Sequence, residues 1–263
     1  MNSNKCNSEW KRVIQNVNED YEYVSSPRDM EIRETLHGSY TVPMPAFLSV
    51  ASRDLNYAFM MKEAGWIISG SNKLSDLTSV MKSYKNYSDD SIFLQGAYGV
   101  KIVDQLTYIT KTLGDDIDSR QAVLNIWRER PGSTKDVPCT TNMQFLVRED
   151  KLHMIATMRS HDAVLGAPYD MFSFSMVALA VKLLLKETRG INVELGDLTV
   201  NAGSLHVYER HYNKISQWLE DTEVNEDIDG AVQAIVNISK TYEELILGLN
   251  AATNLWKEKH GKN

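Results

Sequence analysis

The chain has 263 residues with 28 basic and 35 acidic side chains, so its formal charge is −7, and 43% of its residues are hydrophobic. This composition is typical of a globular protein with one large domain or two small ones, and it excludes a disordered chain. The acidic balance argues against a general nucleic-acid binder, which needs clustered Lys and Arg side chains. It leaves open a local basic pocket for one small phosphate.

Cysteine content and apolar segments indicate the compartment. The two cysteines, Cys6 and Cys139, are too few for a disulfide framework, which favours a reducing environment. The N-terminal residues lack the apolar stretch of a signal peptide. The longest apolar run, 176–185, is interrupted by Lys182 and is too short to span a bilayer. We therefore expect a cytoplasmic protein that binds neither membranes nor nucleic acids.

The first half of the chain is predicted to mix helices and strands. Apolar residues recur at helical spacing in 8–20, within an N-terminal helical segment at 1–20, and a β-rich segment follows at 21–42. Further helices are predicted at 54–66, 74–84 and 100–113, and further strands at 122–127, 141–147 and 152–158. Residues 148–151, between the last two strands, have the length of a hairpin turn.

The second half is predicted to contain a buried helix and a long C-terminal helix. Residues 171–185 are almost wholly apolar, as expected for a helix that is buried on all sides. A strand at 191–200 and a helix at 208–219 follow. One apolar face predicts a single long helix within 228–263, which ends in a polar tail at 257–263. Because no repeat or linker interrupts the chain, we interpret 1–263 as one domain.

Cys139 is the first candidate for chemistry. It lies where the polar loop 127–136 meets a predicted strand, and the polar cluster 159–162 ends the next strand. Adjacent strand ends can share one pocket mouth, and a guanidinium of Arg159 close to the thiol of Cys139 would favour the nucleophilic thiolate. Most free cysteines are instead small buried side chains, so these residues alone leave the role of Cys139 open.

Other polar residues are also open to two interpretations. Asp170, at the start of the buried helix, suits an N-terminal cap as well as a ligand. His206 and Tyr208 are two residues apart in a strand pattern, so they point to one face. His206 and His211 have no convincing metal-ligand spacing, and we expect no metal. We find no glycine-rich phosphate loop and no serine-nucleophile elbow, so the pocket is enzyme-like but chemically undefined.

Several motifs together resemble the thymidylate synthase family. The central motifs keep the family's spacing without gaps: Pro138-Cys139, Gln144-Phe145, Arg159-Ser160-His161-Asp162 and Leu165-Gly166-Ala167-Pro168-Tyr169-Asp170. Further matches are Arg28 upstream of Gly38, Glu63-Ala64-Gly65-Trp66, Asp118-Ser119-Arg120, Gly196-Asp197 and Gly203-Ser204-Leu205-His206-Val207-Tyr208. The resemblance covers about residues 20–215.

The resemblance implies a fold, a reaction and a set of residue roles. The fold is α+β, with a thymidylate synthase-like mixed sheet, packed helices and an additional C-terminal helix, in a homodimer. Cys139 adds to C6 of a pyrimidine nucleoside monophosphate, and C5 then takes a one-carbon unit from 5,10-methylenetetrahydrofolate. The implied roles are proton transfer by Glu63 and Tyr98; phosphate binding by Arg28, Arg159, Ser160 and, from the second subunit, Arg120; sugar binding by His206 and Tyr208; and folate contact by Asp162, Gly166 and Tyr84.

Departures from the family pattern bear on the substrate. Asp170 stands where the family has an asparagine that recognises uracil. A carboxylate is repelled by O4 of uracil but accepts well from the N4 amino group of cytosine, and it pairs with N3 once N3 is protonated. Asp170, Thr140 and the segment 157–160 resemble the deoxycytidylate and cytidylate 5-hydroxymethylase branch. We therefore expect a cytosine nucleotide, with dCMP preferred over CMP.

Other departures bear on the outcome of the reaction. Gln121 replaces the second arginine of the arginine motif, Tyr84 and Tyr87 replace folate-side tryptophans, and the tail does not resemble the family's folate lid. A changed lid favours attack by water over hydride transfer, so we expect hydroxymethylation. The alternatives are a 5-methyltransferase acting on dCMP or dUMP and a catalytically weak relative that binds nucleotides or RNA. We expect His161 to be structural or solvated rather than part of the pocket.

Overall fold

The structure is a computed structural model that describes residues 2–127 and 132–261. Helices in the first half are α1 (Asn2–Glu19), α2 (Tyr57–Ile68), α3 (Ser75–Thr78), α4 (Tyr98–Val103) and α5 (Leu106–Asp115), and strands are β1 (Tyr23–Ser25), β2 (Ile32–Pro43) and β3 (Val123–Asn125). The second half contains β4 (Thr140–Arg148), β5 (Lys151–Asp162), α6 (Ala167–Arg189), β6 (Glu194–Tyr208), α7 (Glu209–Glu220), α8 (Glu226–Ile238) and α9 (Tyr242–His260). Residues 1 and 262–263 of the proposed domain, and 128–131 of the polar loop, lie outside the described residues.

A mixed six-stranded sheet forms the centre of the fold, in the order β1-β2-β6-β5-β4-β3. β5 and β6 are parallel, while the other neighbouring strands are antiparallel. Helix α6 makes the crossover that parallel neighbours require. The predicted hairpin joins β4 to β5 through Glu149 and Asp150, whose φ angles of 50° and 56° suit a two-residue turn. The predicted α+β fold with its mixed sheet is confirmed.

The buried face of the sheet is apolar and is covered by α6. Alternate residues of β5, namely Leu152, Met154, Ala156 and Met158, are buried there, as the period of two predicts. Helix α6 extends beyond the predicted 171–185 because Pro168 can occupy its first turn and the left-handed Gly190 (φ 68°) ends it. It is the one described helix long and apolar enough to cross a membrane, and 78% of its apolar stretch is buried inside the protein.

The opposite face of the sheet is polar and partly exposed. Its side chains pair across strands, with Ser39 and Asn201 joined at 2.8 Å and Thr41 and Thr199 at 2.9 Å. The amide of Gln144 lies in the same row and donates to the carbonyl of Arg120 at 2.9 Å. Arg120 therefore lies next to this polar face.

Three predicted helices are interrupted. Residues 74–84 contain only α3 and part of the short 3-10 helix Lys82–Asn86, and 100–113 are divided where α4 ends. The single C-terminal helix predicted within 228–263 is two helices, α8 and α9. Between them Thr241 and Glu244 exchange hydrogen bonds in a capping box, which satisfies the first free N–H groups of α9 and starts a new helix. The apolar stripe runs on across the break because both helices bury residues in the same core.

Candidate active site

A cavity of about 1150 Å³ lies at the end of the sheet where β4 begins. Most of the residues predicted to act on the substrate line it: Arg28, Glu63, Tyr84, Tyr98, Cys139, Arg159, Ser160, Asp170, His206 and Tyr208. The other three predicted residues, Arg120, Asp162 and Gly166, are not among the described residues that line it. The structure thus brings together side chains that are far apart in the sequence.

Cys139 and Arg159 occupy adjacent strand ends, as predicted. The backbone N–H of Arg159 donates to the carbonyl of Cys139 at 2.8 Å, and its guanidinium donates to the carbonyls of Pro138 and Val137 at 3.0 and 3.2 Å. Burial raises the pKa of the Cys139 thiol, while Arg159 and, more weakly, Arg28 lower it. The effect of Arg159 is in the predicted direction, but the net direction is upward, because desolvation of the charged sulfur outweighs the guanidinium groups.

Glu63 is the second reactive group of the cavity. It projects from α2, and the hydroxyl of Tyr84 donates to its Oε1 at 2.5 Å. Burial raises the pKa of Glu63 from 4.5 to about 7, although the hydrogen bond from Tyr84 lowers it. A carboxyl that titrates near neutral pH can both accept and release protons during a reaction.

Tyr98 lies beside Cys139 at the first residue of α4. Its hydroxyl accepts a hydrogen bond from the backbone N–H of Thr140 at 3.2 Å. Burial, and next the charges of Asp170 and Cys139, raise the pKa of Tyr98, so it stays a neutral phenol. It can therefore donate a hydrogen bond into the cavity.

Asp170 presents a carboxyl group to the cavity from the first turns of α6. Its backbone N–H bonds to the carbonyl of Gly166, the residue that caps the helix, so Asp170 is inside the helix and is not its cap. Burial raises the pKa of Asp170 well above its ordinary value, and the carboxylates of Glu63 and Asp162 raise it further. Both effects favour the protonated form of the carboxyl.

Polar groups at the other end of the cavity come from β2, β5 and β6. Ser160 lies opposite Ser204 in the parallel pair of β5 and β6. His206 and Tyr208 point to one face of β6, as predicted, with their rings edge to face at 5.2 Å. Arg28 reaches the cavity from a short 3-10 turn, in which its φ is 55°. Serine hydroxyls, an imidazole and guanidinium groups suit an anionic sugar phosphate.

Sequence reasoning missed Glu34, which also lines the cavity. Glu34 pairs with His206 across β2 and β6, and its carboxylate accepts hydrogen bonds from the hydroxyls of Ser25 and Ser204. Burial lowers the pKa of His206, whereas the carboxylates of Asp162 and Glu34 raise it. In β2, Glu34 lies two residues after Ile32, which also lines the cavity, so the two side chains share a face; no sequence motif singles out this face.

Asp162 and Gly166 shape the loop between β5 and α6. Oδ1 of Asp162 accepts hydrogen bonds from the N–H groups of Val164 and Leu165 at 2.8 and 2.9 Å. The carbonyl of Asp162 accepts from the N–H of Gly166 at 3.0 Å. These bonds hold the loop that carries α6 and Asp170 to the cavity, and folate contact by Asp162 and Gly166 stays a prediction.

The remaining wall of the cavity is largely aromatic. Trp66, Tyr84, Tyr87 and Trp127 line it, and the rings of Tyr84 and Tyr87 meet edge to face at 5.8 Å. The indole Nε1 of Trp66 is buried and has no hydrogen-bond partner among the described residues. A wall of rings suits a flat heteroaromatic ligand.

The C-terminal helix supports the cavity from behind. The hydroxyl of Tyr242 in α9 donates to the carbonyl of Ile68 in α2, and Lys62 donates to Asn250 at 3.0 Å. Helix α9 thus packs along the helix that carries Glu63. Within the described residues, none after Tyr208 lines the cavity.

The structure assigns no metal site to His206 and His211. Within residues 2–127 and 132–261 there is no group of three or more His, Cys, Asp and Glu side chains that could hold a metal ion. The ring of His211 lies 6.1 Å from that of Trp218 in α7, whereas His206 lines the cavity.

Similar proteins include bacteriophage enzymes. A deoxyuridylate hydroxymethyltransferase of Pseudomonas phage M6 is 30% identical over 187 residues, which are 67% of this chain and 52% of the relative. A protein of the same name from Bacillus phage SP01 is 27% identical over 262 residues, with 86% and 66% of the two chains covered. This chain thus spans between half and two thirds of the length of these relatives.

Synthases match as well. The thymidylate synthase of Bacillus atrophaeus is 25% identical over 185 residues, covering 65% of this chain and 79% of the relative. The solved structure of thermostable thymidylate synthase A from Bacillus subtilis shares the fold, with a TM-score of 0.66 at 20% identity over 83% of this chain and 86% of that one. The family model described as thymidylate synthase matches residues 14–235, most of the chain. The chain belongs to the thymidylate synthase family.

Proposed function

We propose that the protein is a folate-dependent 5-hydroxymethyltransferase acting on a cytosine nucleoside monophosphate, with dCMP preferred over CMP. The observation that carries the proposal is the convergence of Cys139, Glu63 and Asp170 in one cavity. These three groups supply a nucleophile, a carboxyl with a pKa of about 7 and a carboxyl that can face the base. This set is what substitution at C5 of a pyrimidine requires.

In the first step, the sulfur of Cys139 bonds to C6 of the base, and the thiol proton passes to water in the cavity. Asp170, in its protonated form, gives a proton to N3 of cytosine as that bond forms. The resulting carboxylate then accepts hydrogen bonds from N3–H and from the N4 amino group. The raised pKa of Asp170 supports this role, because it makes the acid form available for the transfer.

The second half of the reaction takes place at C5. The proposed cofactor, 5,10-methylenetetrahydrofolate, supplies a one-carbon unit at the oxidation level of formaldehyde. Glu63 takes the proton that leaves C5 and then directs a water molecule to the new exocyclic carbon, with Tyr84 holding its carboxyl in place. Tetrahydrofolate would be the leaving group, and its two nitrogens would take the proton from C5 and one from the attacking water. The C6–sulfur bond breaks as water adds, N3 returns its proton to Asp170, and the sulfur regains a proton from water in the cavity. In total, C5–H becomes C5–CH₂OH, and water supplies the oxygen.

Water attack in place of hydride transfer is supported by the wall of the cavity. Tyr84 and Tyr87 lie on the aromatic wall where the cofactor would bind, and Tyr84 brings a hydroxyl next to Glu63. No described residue after Tyr208 lines the cavity, so the described part of the C-terminal region supplies no lid. Both features leave room for water beside the exocyclic carbon.

The phosphate and the sugar are assigned to the polar end of the cavity. Arg28, Arg159 and Ser160 are proposed to bind the 5′-phosphate, and His206 and Tyr208 the sugar. Guanidinium groups suit this role because they form paired hydrogen bonds with phosphate oxygens.

We also propose a homodimer formed through the polar face of the sheet. Arg120 lies beside this face and away from the cavity of its own chain. Packing two copies through the face is the arrangement that carries Arg120 to the phosphate site of the partner. The same proposal places the enzyme in the cytoplasm, where nucleotides and folates are available.

A uracil nucleotide is the second candidate substrate. The two phage relatives are named deoxyuridylate hydroxymethyltransferases. A protonated Asp170 can donate to O4 and accept from N3–H, as an asparagine does. Because the pKa of Asp170 is raised, repulsion between a carboxylate and O4 does not by itself exclude uracil.

The test is tritium release from the C5 position of dCMP, CMP and dUMP, each with methylenetetrahydrofolate. We expect release from a cytosine nucleotide by the natural protein and by Cys6→Ala, the matched control in the other free cysteine. Cys139→Ala should bind nucleotide but release no tritium. Release from dUMP alone would favour the uracil candidate, and nucleotide binding without any release would identify a catalytically weak relative.

A further inference from the structure

His161 contacts Asp170 although it is not among the described residues that line the cavity. It is 1% exposed, and its Nδ1 lies 3.4 Å from Oδ2 of Asp170. Nδ1 makes no hydrogen bond in the described part of the chain. Since a buried nitrogen without a partner is destabilising, the short approach to the carboxyl of Asp170 requires an explanation beyond packing.

Tyr40 holds the other side of the imidazole ring. Its hydroxyl lies 2.8 Å from Nε2 of His161, and the two rings stack with centroids 5.8 Å apart. Burial, with a smaller effect from His206, lowers the pKa of His161 to about 3, so the ring is neutral and has one donor and one acceptor nitrogen. Burial keeps Tyr40 protonated by raising its pKa. When Tyr40 donates to Nε2, the hydrogen of His161 is on Nδ1 and faces Asp170.

We propose that His161 is the positioning residue that fixes the hydrogen-bond polarity of Asp170, and through it the selectivity for cytosine over uracil. The inference rests on the proposed function, in which Asp170 contacts the base. An N–H donor behind Oδ2 stabilises the carboxylate form, which accepts hydrogen bonds and donates none. That form is the one that remains after the proton has passed to N3: it accepts from N3–H and from the N4 amino group of cytosine, and it repels O4 of uracil.

The groups around His161 and Asp170 oppose the preference for the carboxylate form, and they set the pH at which Asp170 ionises. Burial and the carboxylates of Glu63, from α2, and Asp162, from β5, favour protonated Asp170 by raising its pKa. The Nδ1–H of His161 favours the carboxylate, because a donor 3.4 Å from Oδ2 stabilises its negative charge. The other titratable side chains that face the pair are Cys139, Tyr98, Tyr84, Tyr40 and His206.

The experiment compares His161→Leu, which removes the donor, with His161→Asn, whose amide can place an N–H near the position of Nδ1. We would measure kcat/KM for dCMP and dUMP across the pH range in which both are turned over. For His161→Leu we expect the dCMP preference to fall about tenfold, because the N–H donor beside the charged oxygen is lost. For His161→Leu, the pH at which the dCMP preference develops should also rise. His161→Asn should retain most of the preference and most of its pH dependence.

A purely structural role predicts a different result. If His161→Leu lowers kcat/KM equally for dCMP and dUMP and leaves the pH dependence of their ratio unchanged, the proposal is overturned. If His161→Leu does not fold, Tyr40→Phe gives the same test. It keeps the imidazole but removes the hydroxyl that selects its tautomer, so we expect an intermediate loss of the dCMP preference. Absence of turnover by the natural protein would contradict the proposed function instead. In that case the ratio of dCMP to dUMP dissociation constants, measured by calorimetry at two pH values, tests the role of His161. We expect the preference for dCMP to be largest for the natural protein, somewhat smaller for His161→Asn and smallest for His161→Leu.

Discussion

Replacing Glu63 with Gln is expected to make the protein more stable and less active. The pKa of Glu63 is raised from 4.5 to about 7 by burial. Between these two values the folded protein keeps the carboxyl protonated while the unfolded chain ionises it, so the folded form binds more protons. Stability is therefore lost as the pH rises through this window, and it levels off above it.

The size of the effect follows from the same two values. At about 1.4 kcal/mol for each pKa unit, ionisation of Glu63 lowers the free energy of unfolding by up to about 3 kcal/mol at pH values above about 7. A glutamine has no charge to bury, so Glu63→Gln is free of this penalty at every pH. General acid–base catalysis is lost with the carboxyl, which should lower kcat by about 10²- to 10⁴-fold.

Urea unfolding of the natural protein and the variant, from about pH 5 to about pH 8, measures the stability difference directly. We expect the difference to grow with pH in favour of Glu63→Gln. The matched control is Glu258→Gln on the exposed surface of α9, whose stability difference should vary little with pH. A constant difference for Glu63→Gln across the range would refute the reasoning, since it would mean that Glu63 ionises as easily in the folded protein as in the unfolded chain.

Three further substitutions test separate parts of the site. Tyr84→Phe removes the hydrogen bond that lowers the pKa of Glu63, so the ionisation near neutral pH in the profile of kcat should move to higher pH; an unmoved profile argues against this pairing. Glu34→Gln should raise KM about tenfold with kcat retained if the carboxylate accepts from a sugar hydroxyl, and an unchanged KM excludes that contact. Arg120→Ala and Cys139→Ala should each be inactive, yet mixing them should restore about a quarter of the activity if sites are shared across a dimer. Mixtures that stay inactive contradict the shared site.

The elements that could be predicted are those whose signal is local. The hairpin at Glu149 and Asp150 follows from two alternating apolar strands separated by a short polar turn. That pairing in turn places Cys139 beside Arg159, so the centre of the cavity was within reach of the sequence. Asp170 was correctly placed at the start of the buried helix, although only the structure distinguishes the cavity from a cap.

The features that were missed depend on tertiary packing or on competing local signals. The apolar stripe of α8 and α9 hides the break at Thr241, because a capping box does not interrupt the stripe. The raised pKa of Cys139 depends on how deeply the thiol is buried, which its neighbours in sequence do not determine. Glu34 contacts β6 and His161 contacts Asp170, and no short motif records these contacts.

The central claim is that water completes the reaction, and the mass of the product tests it most directly. The natural protein would be incubated with dCMP, CMP or dUMP and methylenetetrahydrofolate, and the nucleotide and the folate would be analysed by mass spectrometry. We predict that a cytosine nucleotide gains CH₂O, that the added oxygen carries the label when the reaction is run in ¹⁸O-water, and that tetrahydrofolate is released. A nucleotide that gains only CH₂, together with dihydrofolate, would identify a methyltransferase and contradict the account.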